Sequence, residues 1–251
     1  MSNNAISISI VSHGQADLAH RLIGDLQGHC SLPLQLIITL NLAERLPFDP
    51  GALGFPVIVL KNAAPKGYGA NHNAAFSHAT APYFFVLNPD LRIKEHVFPR
   101  LVAHLARSSL GAVAPLMTGP TGAIEDSARR FPTPYSILKK AFTRTAPLEY
   151  EIANELFFPE WVAGMFMGFR SDVFRTVGGF DERYFLYYED VDLCWRLRRR
   201  GYDIAVDPGT RIIHAARRTS HRNLRYLRWH LGSMSRFFWK RVVEGVGRSV
   251  S

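Results

Sequence analysis

Tyr83-Phe84-Phe85-Val86-Leu87-Asn88-Pro89-Asp90 is the stretch that decides the fold. Five consecutive apolar residues make a strand that a sheet can bury on both faces, and Asn88-Pro89 ends it. Working outward, Ala5–Val11, Leu34–Leu40 and Pro56–Leu60 read as three earlier strands. Leu18, Leu22 and Leu26 recur at helical spacing between the first two. Gly67–Thr80 opens on glycines and runs into an Ala-rich helix. Downstream, Glu95–Arg107 reads as a helix and Gly111–Leu116 as another strand. This alternation predicts an α/β fold with a mostly parallel sheet flanked by helices. In such sheets ligands bind beyond the carboxyl ends of the strands, so the residues just after each strand are the ones to inspect.

The chain has 251 residues, 47% of them hydrophobic and 20% charged, which gives ample material for a core and excludes a disordered chain. No run approaches the roughly 18 apolar residues of a spanning helix. Met1–Val11 lacks a basic segment and alternates Ile6, Ile8 and Ile10, the pattern of a strand rather than of a signal peptide. Two distant cysteines, Cys30 and Cys194, argue against a disulfide framework and fit a cytoplasmic protein. Residues 117–160, punctuated by Gly119, Pro120, Gly122, Pro132, Pro134 and Pro147, read as a long functional loop. An apolar segment, Val162–Phe169, a short helix from Ser171 and a basic helix ending at Gly201 follow. Two short strands are expected near Ile204–Val206 and Arg211–His214. No linker is long enough to divide the chain, so one domain over 1–221 is expected, with a basic helix over 222–251 belonging to it or packed on it.

Four groups of residues carry chemistry. Asn88-Pro89-Asp90 places a carboxylate at the sheet rim, where it suits a hard divalent cation that keeps open sites for phosphate oxygens. Asn-Pro-Asp is equally good turn chemistry. In Lys61–Asn73, Gly67 and Gly69 before a helix allow close backbone approach to a diphosphate, or form an ordinary strand-to-helix loop. The spacing matches neither the dinucleotide fingerprint nor the P-loop. Glu189-Asp190-Val191-Asp192 puts three carboxylates at a helix start, where the dipole favours them as caps. Phe185, Leu186, Tyr187 and Tyr188 precede them, and apolar rings raise a carboxylate pKa toward that of a useful base. His214 ends a strand, and neutral imidazole binds Mn²⁺-like ions beside carboxylates.

Taken jointly, the order is Val11-Ser12-His13, Asn62…Gly67-Tyr68-Gly69…Asn73, Leu87-Asn88-Pro89-Asp90, Trp161-Val162-Ala163-Gly164, Val177–Glu182, Tyr188–Arg196 and a distal His214. Over about residues 5–215 this resembles family 2 glycosyltransferases of the GT-A, Rossmann-like fold, in particular their bacterial rhamnosyltransferase-like branch. The resemblance implies an inverting sugar transfer from a nucleotide-diphospho-sugar (dTDP- or UDP-linked) to a cell-surface glycan or lipid-linked acceptor. It implies Mg²⁺ or Mn²⁺ on Asp90, with His214 completing the metal site. It makes Asp190 the general base. Glu189 is left to orient the acceptor or to meet Arg196, and Asp192 to point elsewhere along the helix. Ser12, His13, Asn62, Gly67, Gly69, Asn73 and Asn88 line the donor pocket, and Trp161 and Gly164 the sugar and acceptor cleft. Leu40 stands where relatives carry an Asp that contacts the base, so Asn41 is expected to substitute in part through its amide.

The charge is uneven. Residues 1–192 hold 16 Lys+Arg and 18 Asp+Glu, whereas residues 193–251 hold 14 and 3. Such a block attracts phosphate. Within it Leu224, Leu227, Leu231, Met234 and Phe238 fall on one helical stripe. Either that stripe packs on the domain or it lies on an anionic membrane, at the inner face of the plasma membrane. No nucleic-acid partner is expected, because the block holds no reader motif and the remainder is net acidic. A catalytically silent sugar-nucleotide binder is the other reading that the Leu40 departure keeps open.

Overall fold

The computed structural model describes residues 4–107, 109–142, 148–215 and 224–246. The first half runs β1 (Ile6–Ser12), α1 (Ala16–His29), β2 (Leu34–Leu40), β3 (Val57–Lys61), α2 (Tyr68–Phe76) and β4 (Tyr83–Leu87). Then come β5 (Leu91–Arg92), α3 (Val97–Leu105), β6 (Leu110–Thr118), β7 (Ala128–Arg129) and α4 (Pro134–Phe142). The chain continues through β8 (Trp161–Val162), β9 (Phe166–Arg170), α5 (Ser171–Thr176), α6 (Glu189–Arg199), β10 (Asp203–His214) and α7 (Leu224–Val246). Eight strands form one sheet in the order β3-β2-β1-β4-β9-β6-β10-β5. Neighbours are parallel except at β9, which runs against β4 and β6, and at β5, which runs against β10.

Successive side chains of a strand point to opposite faces, and β4 uses both. Phe85 and Leu87 join Ile6, Ile8, Ile10 and the buried faces of α1 and α3 in one core. Phe84 and Val86 join Phe169, Phe174, Phe180, Leu193 and Phe237 in the other. The two cores explain why β4 has no polar position.

In β1 the alternation hides serines instead. Ser7 and Ser9 are fully buried. The Ser7 hydroxyl donates to Gln35 Oε1 at 2.6 Å, and Ser9 Oγ lies 2.8 Å from His72 Nδ1. His72 Nε2 is buried without a partner, and Tyr68 and Phe180 pack on the ring. Burial lowers its pKa from 6.5 to about 3. The unfolded chain therefore takes up this proton near pH 6.5 and the folded chain only near 3. The neutral ring's contribution is complete above pH 6.5 and is lost as pH falls toward 3. Stability should drop by roughly 2 kcal/mol between pH 7.5 and 5 from this residue. Urea unfolding across that range checks it, and His72→Leu should flatten the slope.

Three expectations change. Residues 117–160 are not one irregular loop: they contain β7 and α4, and Phe157 bridges to Val206. The two strands expected at 204–206 and 211–214 are one strand, β10, with a bulge between Asp207 and Arg211. The Asp207 carboxylate accepts the Gly209 N–H at 2.9 Å inside that bulge, while Arg211–Ile213 resume pairing with Leu116–Thr118. Finally, the apolar stripe of α7 is divided, with Met234 packed against the second core and the leucines turned outward. Leu224, Leu227 and Leu231 are exposed, and the helix docks through Ser233, Phe237 and Lys240. The boundary at 221/222 lies outside the described residues.

Candidate active site

The carboxyl end of β4 and the start of β9 are adjacent, because Leu87 pairs with Phe166. One step further, the Asn88 N–H donates to the Met165 carbonyl at 2.8 Å. This seats Asn88-Pro89-Asp90 against the turn 163–165. Two backbone N–H groups then hold the carboxylate of α6. Gly164 donates to Asp190 Oδ2 and Val191 to Asp190 Oδ1, each at 2.8 Å. Tyr68, the first residue of α2, donates its hydroxyl to the Gly164 carbonyl. Burial raises its pKa well above 10, and the charges of Glu189, Asp190 and Asp90 add to this. Three of the acids singled out in the sequence thus surround one phenol.

Glu189 is buried and Asp190, next to it, is half-buried. Burial, then the Asp190 charge, pushes Glu189 well above the usual carboxylate range. Burial also raises Asp190, but the Gly164 and Val191 N–H groups and Arg129 pull the other way. Glu189, with only its own backbone N–H to offset burial, is therefore the harder of the two to ionise. Glu189 Oε2 has no hydrogen-bond partner. Glu189 does not meet Arg196: that guanidinium donates to Asp192 Oδ2 at 2.7 Å and to the Val177 and Gly179 carbonyls. Asp192 is fully buried and also receives Lys240 Nζ at 2.6 Å, so it is neutralised inside the fold.

The backbone before the pair is strained. Tyr187 and Tyr188 have φ of 70° and 68°, a region costly for bulky side chains. This turn ends at the helix start, so the strain is spent on placing Glu189 and Asp190.

At the far side of the cleft, His214 lies between two carboxylates. Its Nε2 is 3.4 Å from Asp90 Oδ2 and its Nδ1 2.8 Å from Glu125 Oε2. Burial lowers its pKa, but Asp90 and Glu125 outweigh this and the net shift is upward. Asp90 Oδ1 is buried and has no partner. An orphan carboxylate oxygen beside an imidazole fits a divalent cation, and a carboxylate on the other ring nitrogen is the usual way such a histidine is oriented. Among the described residues no group of three or more metal-ligating side chains is assembled, so the remaining ligands would be water and phosphate oxygens.

The expected donor pocket is more self-contained. Asn41 Oδ1 accepts from Asn62 Nδ2 and from the Lys66 N–H, both at 2.8 Å, and its Nδ2 donates to the Lys66 carbonyl at 3.0 Å. His13 Nδ1 is 3.1 Å from the same amide. Asn41 thus orders the 61–67 loop. Ser12 is buried and accepts the Gln15 N–H. Asn73 is turned to the 180–182 loop, donating to the Phe180 carbonyl and accepting the Phe180 N–H. The close approach that Gly67 and Gly69 permit is to the chain itself. A Cβ on Gly67 would lie 2.7 Å from the Phe185 carbonyl oxygen, and one on Gly69 2.6 Å from Phe180 Cβ. A cavity of about 490 Å³ opens beside this loop, lined by Lys66, Gly67, Asn73, Glu182 and Phe185 but by neither Asp90 nor Asp190.

Trp161 pairs with Arg129 across β7 and β8, its indole N–H donates to the Arg130 carbonyl, and the Arg129 guanidinium lies 5.4 Å over its ring. Tyr68, Glu125 and Arg129 were not singled out in the sequence. Glu125 and Arg129 sit in the segment that looked irregular, and only Tyr68, between two glycines at a helix start, left a signal.

The mostly parallel sheet flanked by helices, with Asp90 just beyond β4 and Glu189 and Asp190 at the start of α6, has the architecture of the GT-A fold. The family model "Glycosyl transferase family 2" matches residues 39–177, and the chain belongs to that family. Rhamnosyltransferase WbbL of Escherichia coli (strain K12) is 26% identical over 95% of this chain and 94% of its own. An N-acetylglucosaminyl-diphospho-decaprenol L-rhamnosyltransferase of Mycobacterium tuberculosis (strain ATCC 25618 / H37Rv) is 30% identical over 63% of this chain. The present chain spans 58% of that relative. Among solved structures, GalNAc-T7 with UDP, GalNAc and Mn²⁺ superposes with a TM-score of 0.66 at 15% identity. That match covers 87% of this chain and 44% of the other, and it supports the GT-A fold. The protein is a family 2 glycosyltransferase, and two of its relatives are rhamnosyltransferases.

Proposed function

We propose that the chain transfers a deoxyhexose, rhamnose, from a dTDP- or UDP-linked donor to a lipid-linked or glycan acceptor with inversion at the anomeric carbon. The observation that carries this is the Asp190 carboxylate, anchored by the Gly164 and Val191 N–H groups beside the buried Glu189. The acceptor hydroxyl gives its proton to Asp190 as its oxygen bonds to the anomeric carbon. The bond to the diphosphate breaks with its electron pair on phosphate, so one displacement inverts the centre. Asp90 and His214 would hold a Mg²⁺ or Mn²⁺ ion, which supplies Lewis-acid neutralisation of the leaving diphosphate. Tyr68 fixes the 163–165 turn through its bond to Gly164, and the Arg129 charge adds to the Gly164 and Val191 N–H groups in opposing the burial of Asp190. The names of the two rhamnosyltransferase relatives support the sugar, and the diphospho-decaprenol of the second supports a lipid-linked acceptor.

A thermal-shift series of nucleotide-sugars with and without Mn²⁺, followed by transfer to a polyprenyl-diphospho-sugar, tests the reading. Stabilisation by one diphospho-rhamnose and an inverted product are expected. Stabilisation only by a different sugar, or a product of retained configuration, overturns it. Within the same reading Glu125 orients His214, so Glu125→Ala should weaken Mn²⁺ binding about 10–100-fold. Titration of free Mn²⁺ by electron paramagnetic resonance, with no donor present, measures this directly.

A further inference from the structure

Helix α7 has two unlike faces. The inner face grips the loop that leads to the acid pair. Ser233 Oγ donates to the Leu186 carbonyl at 2.9 Å, and the buried Phe237 ring packs on Tyr188. Lys240 Nζ reaches Asp192 at 2.6 Å and Asp181 at 3.2 Å. The outer face is apolar. Leu224 is 77% exposed, Trp239 72% and Val242 60%, and Leu227 and Leu231 are about half exposed. At about 100° per residue these five share one side of the helix. A helix packed on a water-soluble domain normally shows water its polar side, so this arrangement is reversed.

Charge selects the occupant. Arg228 lies within the apolar stripe, and Arg225 and Arg236 flank it, all three exposed. A second copy docking through the same patch would bring these cations together, because a two-fold contact is self-complementary. An anionic lipid surface meets both needs, accepting the apolar side chains below its phosphates and the guanidinium groups at them. No helix among the described residues is long and apolar enough to cross a membrane, so the contact is interfacial. The apolar surface also continues toward the cleft: the Trp229 ring lies 4.7 Å from that of exposed Phe185, four residues before Glu189.

We infer that the outer face of α7 is an interfacial membrane anchor that seats the cleft beside an anionic bilayer. It accords with the lipid-linked acceptor of the previous section and rests on that reading only for its purpose. Its test needs neither donor nor acceptor, so the two fail separately.

The full chain is sedimented with vesicles of phosphatidylcholine alone or of phosphatidylcholine with phosphatidylglycerol. Binding to the anionic vesicles only, weakening as salt is raised, is expected. Leu227→Gln and Leu231→Gln leave every charge in place and should each reduce binding about tenfold. Arg228→Gln should reduce it about fivefold. Circular dichroism and the unfolding midpoint of each variant should match the unaltered chain, since these side chains are exposed. Absence of binding to anionic vesicles overturns the inference, as does undiminished binding by the double leucine variant. A dimer in sedimentation velocity that Leu227→Gln disperses overturns it too, in favour of a second copy on this face.

Discussion

Asp190→Asn is expected to bind donor as the unaltered chain does and to slow transfer about 10²–10⁴-fold, the usual worth of a positioned base. The amide keeps the size of the carboxylate, and its oxygen can still accept the Gly164 N–H that now bonds Oδ2 at 2.8 Å. What disappears is the charge and with it the basicity. kcat and kcat/KM should therefore fall together. The pH profile gives a second readout. A base must be deprotonated, so the rate falls as pH drops through its pKa. Burial raises that pKa, which places the acid limb above the ordinary aspartate range, and Asp190→Asn should abolish the limb. Glu189→Gln is the contrast. Burial and the Asp190 charge disfavour an ionised Glu189, so a neutral amide in its place should cost far less than the change at Asp190. Near-normal turnover by Asp190→Asn would refute the assignment. Asp192 is no substitute, because its oxygens are engaged by Arg196 and Lys240.

How far the sequence could carry this is clear from particular residues. β1, β2, β3 and β4 were legible because each is a continuous or alternating apolar run, and tertiary packing agrees with local pattern there. Asp90, Asp190, Gly164 and Trp161 were legible because they follow such runs or sit in a dense motif. The segment 117–160 was not, since Gly and Pro interrupt it before any periodic run can be read. The pieces that matter, Glu125 and Arg129, earn their places through contacts with His214 and Trp161 more than thirty residues away in the chain. The break at Asp207-Pro208-Gly209 looked like a turn, but the Asp207 carboxylate satisfies the bulge from within and the strand resumes. In α7 spacing revealed an apolar stripe but not which way it points. The polar inner contacts of Ser233 and Lys240 decide that, and neither is visible without knowing that Leu186, Asp181 and Asp192 lie beneath. At Gly67 and Gly69 the backbone lies close to the 180–185 loop, a contact that their spacing alone did not reveal.

Asp90→Asn should reduce the Mn²⁺-dependent part of donor binding by more than about 100-fold, beyond what the loss of an outer partner costs. The site leaves this residue little other purpose. Its backbone is pinned on both sides, by the Asn88 N–H to Met165 and by the Ala215 N–H to the Asp90 carbonyl at 3.0 Å. Its side chain is nevertheless poorly served: Oδ2 is 3.4 Å from His214 Nε2, and Oδ1 is buried without a partner. A carboxylate kept for folding would be expected to have its lone pairs satisfied, as Asp207 does with Arg100, His104 and Gly209. Neutralising Asp90 in the metal-free protein should therefore change the unfolding midpoint little, because Oδ1 has no hydrogen bond to lose and Oδ2 is 3.4 Å from its partner. The same substitution at Asp207 should lower the midpoint. His214→Ala alone should also weaken Mn²⁺ binding, and the double variant should lose much less than the sum of the two, because both act on one ion. Unchanged Mn²⁺ dependence in Asp90→Asn, or strict additivity with His214→Ala, would remove the ion from this pair. A destabilised metal-free Asp90→Asn would instead make the carboxylate a structural partner of His214.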